Sequence, residues 1–546
     1  MSVPKKCQVL VIGGGPAGSY ASTVLAREGV DVVTLEADNF PRYHVGESML
    51  PSLGTHLKFI GLYERFTAMN WFRKDGAVYF LNRAQPPSII DFGTEERPDT
   101  HGWNVNRADL DDLLFKYAGE CGSKTFDGTK VNSIQFEPCP DIKVHGMTAQ
   151  DINPGRPVSA TWSRKDGTSG SISFDYLVDG SGRQGVLSTR YIKNRTFNEG
   201  FRSIAFWAYW TGCKKPLPGT TREGYTTFEA LKDGSGWCWF IPMHGGITSV
   251  GFVQNQKIAT ERKKKQDGST KTLYMDTFNS YIKELPPLFE DAKIIEEKGF
   301  KTTSDWSYSA SHYALPYARI IGDAGAFIDP FLSSGCHLAM TGGLSAAATI
   351  MASIKGDLDE EAAGAWHSKK QSESYFRMFL TVSAFMEQIW AQEKPVINDA
   401  NEEGYERAIA TLRPGTIINP PVLETNVMQG DVDVDDEKRI SRVDINKVYD
   451  FCARAFDHFE EHETTAIHDR LKQKGIDLLD MNHDMFKLLK EFEKELSVQE
   501  TRVLEKIRAG HLCMKYFGAG RTETEVVDGL QLNMVSGKLS VVPAAA

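Results

Sequence analysis

The stretch CQVLVIGGGPAGSYASTVLAREG, residues 7–29, decides how the rest of the chain is read. Gln8 to Ile12 predict a strand, Gly13, Gly15 and Gly18 a turn of the form GxGxxG, and the residues beyond it a helix that stops at Gly29. The first glycine permits the tight turn, the second lets a pyrophosphate approach the backbone, and the third lets helix and strand pack closely. The helix N-terminus adds N–H donors and the positive end of its dipole. A second hydrophobic strand, VDVVTLEA, reaches Glu36, eighteen residues beyond Gly18, where an acid can grip a ribose hydroxyl. Glycine turns arise by chance, but strand, helix and acid in this order specify a dinucleotide site.

Bulk properties narrow the class. A chain of 546 residues is long enough for two or more domains with a substantial core. A net charge of −10 leaves no broad basic surface, so no nucleic-acid partner is expected. The 8 cysteines are scattered without a CxxC pair, which argues against a disulfide framework or a metal site and suits a reducing compartment. MSVPKK leads straight into the first strand with no signal-peptide pattern. LAMTGGLSAAATIMASI, residues 338–354, is rich in small residues and reads as a buried helix instead of a membrane span. A cytoplasmic protein with no membrane partner is the expectation.

Three later segments favour FAD as the dinucleotide. VNRADLDDLLFKYA (105–118) puts Arg107 at the start of a helix. YLVDGSGRQGVL (176–187) is a strand running into a glycine turn with Asp179 and Arg183. YARIIGDAGAFIDPFLSSGCHLAM (317–340) offers a strand, then Gly322 and Asp323, then a helix rich in small residues. An aspartate there can accept from ribityl hydroxyls, and a helix N-terminus can face the electron-rich end of the flavin. In this order the segments resemble the FAD-binding fold of the aromatic hydroxylase superfamily. That resemblance implies Gly13, Gly15, Gly18, Glu36, Arg107 and Asp323 as flavin-binding residues.

GWCWFIP (236–242) narrows the resemblance. Two tryptophans two residues apart on a strand point the same way, and core packing is the plain reading of such a pair. However, Trp237, Trp239, Ile241 and Pro242 fit the WxWxIP pattern of flavin-dependent halogenases, and Phe327, Pro330, Ser333 and Gly335 fit that family's FxxPxxSxG. Lys74, in WFRKDGAVYF, stands at the position of the family's catalytic lysine. A lone lysine is ordinarily a solvated charge; its companions give it a function here. The resemblance implies that reduced FAD, supplied by a separate flavin reductase, and O2 oxidise chloride or bromide to hypohalous acid. It further implies that the halide is held by backbone donors at Ser334 and Gly335, and that Lys74 directs the oxidant by hydrogen bonding or as a chloramine. The indoles then stand between flavin and substrate.

One departure bears on the substrate. Tryptophan halogenases carry a glutamate where this chain has Leu332, so indole substrates lose support and phenols, whose own oxygen donates into the ring, gain it. PRYHVGESMLPSL (41–53) and WNVNR (103–107) look like fungal phenolic halogenases acting on polyketides, of the radicicol-pathway type. A phenolic small molecule, free or carrier-bound, is therefore the expected substrate. His44 and His337 are read as packed or capping side chains.

The expected architecture is α/β: a doubly wound, aromatic hydroxylase-like FAD domain (1–76, 102–190, 305–355), a substrate β-sheet built from insertions 77–101 and 191–304, and a helical C-terminal region 356–546. TERKKKQDGSTK (260–271) reads as a charged loop, residues 413–438 as a linker, and residues 375–390 and 445–463 as helices. A single-component flavin hydroxylase would share the fold without needing WxWxIP or Lys74. A flavin reductase of isoprenoid double bonds, or a flavoprotein without chemistry, are the other readings of the same nucleotide site.

Overall fold

The computed structural model describes residues 2–390 apart from 82, 84–85 and 94–98, and, of the C-terminal part, residues 459, 461–476, 478, 483–513 and 525–544. Its first sheet runs Ala314–Leu315, Ala318–Ile320, Ser169–Asp179, Lys6–Ile12, Val32–Leu35, Lys124–Phe126. The strands from Ala318–Ile320 to Lys124–Phe126 are mutually parallel, as helical crossovers require. Lys6–Ile12 lies in the middle and is buried on both faces, which is why it reads as a continuous apolar run.

Helix Pro16–Arg27 leaves the glycine turn directly, with Pro16 in its first turn. Gly13 has φ +98°, and a Cβ there would lie 2.2 Å from the Gly180 carbonyl oxygen; a Cβ on Gly18 would lie 1.9 Å from that of Gly13. Both positions exclude every residue but glycine. Across the layer packs helix Gly335–Lys355, whose 18-residue apolar window is 83% buried inside the fold. Its small residues permit close contact: a Cβ on Gly343 would meet the Ala17 carbonyl oxygen at 2.8 Å. The segment is a core helix, as its composition suggested.

The second sheet runs Lys293–Ile294, Arg195–Thr211, Ile247–Asn255, Gly236–Pro242, Thr226–Ala230, Gly76–Phe80, Ser88–Asp91, with Lys301–Ala310 also paired to Arg195–Thr211. Period-two alternation splits Gly236–Pro242 between two cores. Trp237, Trp239 and Ile241 join one with Phe331 and Phe385, while Cys238 and Phe240 join the other with Tyr274 and Phe289.

Three expectations need correction. Residues 260–271 are not a loop: helices Gln256–Lys265 and Thr270–Tyr281 cover most of them. Asn255 caps the first by accepting from the Lys257 N–H, Ser269 caps the second by accepting from the Thr272 N–H, and the basic run suits the first helix's C-terminal dipole end. The boundary at 305 falls inside strand Lys301–Ala310, whose pairing places it with the second sheet. The C-terminal region is not purely helical, since Leu530–Asn533 and Ser540–Pro543 form a hairpin whose Leu532 and Val541 enter the core of the first domain. The helix read over residues 375–390 is present as the second half of a longer one, Glu360–Trp390, whereas residues 413–438 and most of 445–463 lie outside the described residues.

Candidate active site

The nucleotide end is built as the glycine spacing requires. A Cβ on Gly15 would meet only the Arg42 guanidinium, at 3.4 Å, so the middle glycine faces open space beside a cation. Glu36 is buried at the end of its strand, accepting from the Gly14 N–H at 2.6 Å and the Asp38 N–H at 2.9 Å. Each of its oxygens keeps a second lone pair for a ribose hydroxyl. Arg42 donates to Asp111 at 3.0 Å. Asp111 and Arg42 carry no motif, and sequence reasoning passed over both.

Arg107 opens helix Arg107–Glu120 as expected, behind the cap Asn106. It is buried and gripped by Asp111 through Nε at 2.9 Å and Nη2 at 3.1 Å, and it donates to the Val45 carbonyl at 3.1 Å. Burial opposes the Asp111 charge, yet paired arginines (Arg107 first) hold that carboxyl below its ordinary range. Asp323 sits in the short turn Gly322–Ala324, not in the helix itself, and its carbonyl accepts from the Tyr308 hydroxyl at 2.6 Å. Arg195 stacks over the Tyr308 ring at 3.9 Å, and Arg183 over Phe327 at 4.9 Å. Arg107, Asp323 and Cys336 lie within electrostatic range of one another, which brings this turn and the N-terminus of helix Gly335–Lys355 to one place.

The loop before that helix is shaped for a ligand. Asp329 caps the turn Pro330–Leu332 by accepting from the Phe331 N–H at 3.0 Å, and Ser333 follows in the left-handed region at φ 57°. Among the described residues the Ser334 hydroxyl is buried with no partner, and a Cβ on Gly335 would meet nothing within 4 Å. There is therefore open space beside Gly335 at the N-terminus of a long helix, whose first-turn N–H groups have no intrahelical acceptor, a suitable setting for a small anion.

Trp237 packs edge-on against Phe331, ring centroids 5.2 Å apart, so the WxWxIP strand and the FxxPxxSxG loop touch. Burial pushes the Asp329 carboxyl up to about 7; the Phe331 N–H pulls it back, as does the Trp237 indole N–H, which lies nearby without closing a well-formed hydrogen bond. Trp239 donates to Ser249 at 3.1 Å, and Pro242 ends the strand with its carbonyl accepting from Asn104 at 2.9 Å.

Lys74 ends strand Phe72–Lys74 opposite Gly102 and is only 3% exposed. Its ammonium lies 5.0 Å from the Phe92 ring centroid and has no ion-pair partner among the described residues. Burial alone brings it down to about 7. Asn104, on the paired strand, links this corner to the indole strand through Thr226 and Pro242. Leu332 packs among the apolar residues around Trp237 and Trp239. His337 is buried against Ser52, 285 residues away, at 3.0 Å, whereas His44 makes only a local contact, bonding the adjacent Val45 carbonyl at 2.7 Å.

Comparison with known proteins follows the same outline. A family model described as tryptophan halogenase matches residues 8–95 and 78–387. The flavin-dependent halogenase ascD of Acremonium egyptiacum is 44% identical over 99% of this chain and 93% of its own. The sulochrin halogenase gedL of Aspergillus terreus is 51% identical over 76% of this chain and 75% of its own. Among solved structures, the flavin-dependent halogenase CmlS shares the fold with a TM-score of 0.65 at 24% identity, over 86% of this chain and 78% of that one. The Ser334 hydroxyl, orphaned among the described residues, the open faces of Gly15 and Gly335, and the Tyr308 and Arg195 donors beside Asp323 fit a flavin dinucleotide. The chain belongs to the flavin-dependent halogenases, enzymes whose cofactor is FAD.

Proposed function

We propose that this halogenase uses O2 and chloride or bromide to halogenate an electron-rich phenol of polyketide type, ortho or para to a hydroxyl. Reduced FAD, delivered by a separate flavin reductase, supplies with O2 the oxidising power that turns halide into an electrophile. The chain's own residues do the rest. Gly13, Gly15, Gly18 and Glu36 hold the nucleotide end; Arg107 and Asp323 hold the flavin end. Backbone N–H groups at Ser334 and Gly335 take the halide, assisted by the helix dipole. Trp237, Trp239 and Phe331 form a wall that keeps an organic ring and bulk water from the cofactor.

Lys74 carries this reading. A buried amine held near neutrality, with no carboxylate paired to it among the described residues, can donate a hydrogen bond to an oxidant as ammonium or be halogenated as free amine. The substrate class rests on Leu332. An indole needs a carboxylate to take its ring proton, and an apolar side chain cannot supply one. A phenol spreads the positive charge onto its own oxygen and releases the proton without such help.

In a competition with one flavin supply, a resorcinol-type phenol should be halogenated and tryptophan ignored. Methylating the activating hydroxyl should slow the reaction strongly, because an ether cannot ionise. Preferential halogenation of tryptophan, read by mass spectrometry, would overturn the phenolic assignment.

Neutral backbone donors discriminate weakly by halide size, so replacing chloride with bromide should move the products to brominated phenols. Fluoride should give none, its hydration being too strong to strip. Inactivity with bromide would contradict a halide site made of neutral donors.

A further inference from the structure

Between Arg107 and the indole sheet lies a carboxylate that the reaction described above leaves idle. Glu47 is 3% exposed, in the segment Gly46–Ser48. That segment is fixed to the strand beside Lys74: the Val105 N–H donates to the Glu47 carbonyl, and the Met49 N–H to that of Trp103, each at 2.8 Å. Arg107 donates to the carbonyl of Val45, two residues earlier, and lies within electrostatic range of the Glu47 carboxylate.

The carboxylate faces a chain of hydroxyls. The Tyr209 hydroxyl donates to Glu47 Oε1 at 2.7 Å, and Tyr209 and Tyr43 hydroxyl oxygens lie 2.9 Å apart. The Trp207 indole N–H donates to the Tyr43 oxygen at 2.8 Å. A phenol has one proton. Tyr209 gives its own to Glu47, so Tyr43 must donate to Tyr209. All the protons in the chain thus point inward. Its outer end is open, with Tyr43 50% exposed. The Lys301 ammonium lies 4.3 Å from the Tyr43 ring, and the Lys298 ammonium 5.1 Å from the Tyr209 ring. Burial raises the pKa of Glu47 and of both phenols. The phenols therefore stay neutral and the carboxyl takes up a proton readily, as a relay requires.

The proposed reaction needs such a path. One aromatic C–H, one halide ion, one O2, one reduced flavin bearing two hydrogens and one proton give one C–halogen bond, one oxidised flavin and two waters. The flavin and the substrate–halide pair each lose two electrons, and O2 gains four. One proton must therefore enter a site walled from water in every turnover.

We propose that Tyr43, Tyr209 and Glu47 conduct that proton from the surface to the cofactor side of the site, Glu47 being its inner station. The proposal rests on the reading that the enzyme halogenates with O2.

Three variants test it: Glu47→Gln, which keeps an acceptor for Tyr209 but cannot relay, and Tyr209→Phe and Tyr43→Phe, which break the chain. In flavin-free protein, brought to a pH at which Glu47 is protonated, the infrared carboxyl band assigned by its loss in Glu47→Gln should shift quickly on mixing with D2O. It should shift at least tenfold more slowly in Tyr209→Phe and Tyr43→Phe. In the loaded enzyme, halogenation by Glu47→Gln and Tyr209→Phe should fall about tenfold or more, with a larger solvent isotope effect and unchanged FAD affinity. Equal carboxyl exchange in wild type and both tyrosine variants would overturn the path. So would a rate loss whose isotope effect matches wild type, which marks a merely structural carboxylate. A wild-type enzyme that adds no halogen would instead sink the reading beneath it, leaving the exchange experiment to judge the path by itself.

Discussion

Replacing Lys74 by methionine should abolish halogenation and, at the same time, make the protein harder to unfold. The methionine keeps most of the side chain's volume and removes the amine. A group that contributes by hydrogen bonding or proton transfer at the reacting atoms is worth roughly 10²–10⁴-fold in rate, and a covalent carrier more. The loss should therefore reach about three orders of magnitude, with FAD binding and reduced-flavin oxidation nearly unchanged. The stability gain has a definite sign. Unfolded, the amine has its ordinary pKa of 10.5; folded, burial lowers it to about 7. Above the unfolded value both states are neutral and the burial costs nothing. As pH falls from there to about 7 the unfolded chain takes up a proton that the folded chain refuses, so the penalty grows, and below about 7 it is constant. At 1.36 kcal/mol per unit the upper bound is on the order of 5 kcal/mol, reduced by the Phe92 ring that faces the ammonium. Denaturant titrations of wild type and Lys74→Met should thus converge near pH 10, diverge as pH falls from there to about 7, and keep a constant gap below. A methionine variant that halogenates at the wild-type rate would remove Lys74 from the mechanism. One with no gain in stability would remove the picture of a strained, unpaired amine.

Glu525→Gln should destabilise the fold by about 3–5 kcal/mol at neutral pH, the cost of breaking a buried ion pair from one side. Glu525 stands just before the C-terminal hairpin and pairs with Lys370, which is 0% exposed, and with Arg377 at 3.2 Å. Arg377 is also paired with Glu373 at 2.9 Å, four residues back on the same helix. Burial opposes the Glu525 charge, but Lys370 and then Arg377 outweigh it and hold the carboxyl at about 2. Its contribution is therefore complete above the unfolded value of about 4.3 and is lost as pH falls toward 2. Urea titrations of wild type and variant should show a gap that is constant from neutral pH to about 5 and closes below. A gap under about 1 kcal/mol at pH 7 would mean that water reaches the pair and screens it.

What could be read in the sequence was whatever has a local spacing. The glycines of residues 13–18 need only a turn, and the indoles of Trp237 and Trp239 only a strand, so both were legible before any fold was known. The burial of Lys74 was not, because it is made by pairing with Gly102 and by Phe92, both from other segments. Asp111 is a second case: its hold on Arg107 follows helical spacing, but its bond to Arg42 spans 69 residues. Residues 260–271 were misread because charge was taken as loop, although Asn255 and Ser269 carried capping signals. The C-terminal hairpin was missed for another reason. Leu532 and Val541 have the alternation of a short strand, but what selects it is the core of a domain that begins more than 500 residues earlier.

The central claim is that the cofactor's oxidising power ends on a halide and then on a phenol carbon. The most direct measurement is the mass of the product formed by the wild-type enzyme with a flavin reductase, NADH, FAD, O2, chloride and a resorcinol-type phenol. The account predicts replacement of a ring hydrogen by chlorine, with the two-isotope pattern of that element, and loss of this product when chloride is omitted. A product that has gained one oxygen and no chlorine, formed equally well without chloride, would contradict it and make the enzyme a hydroxylase.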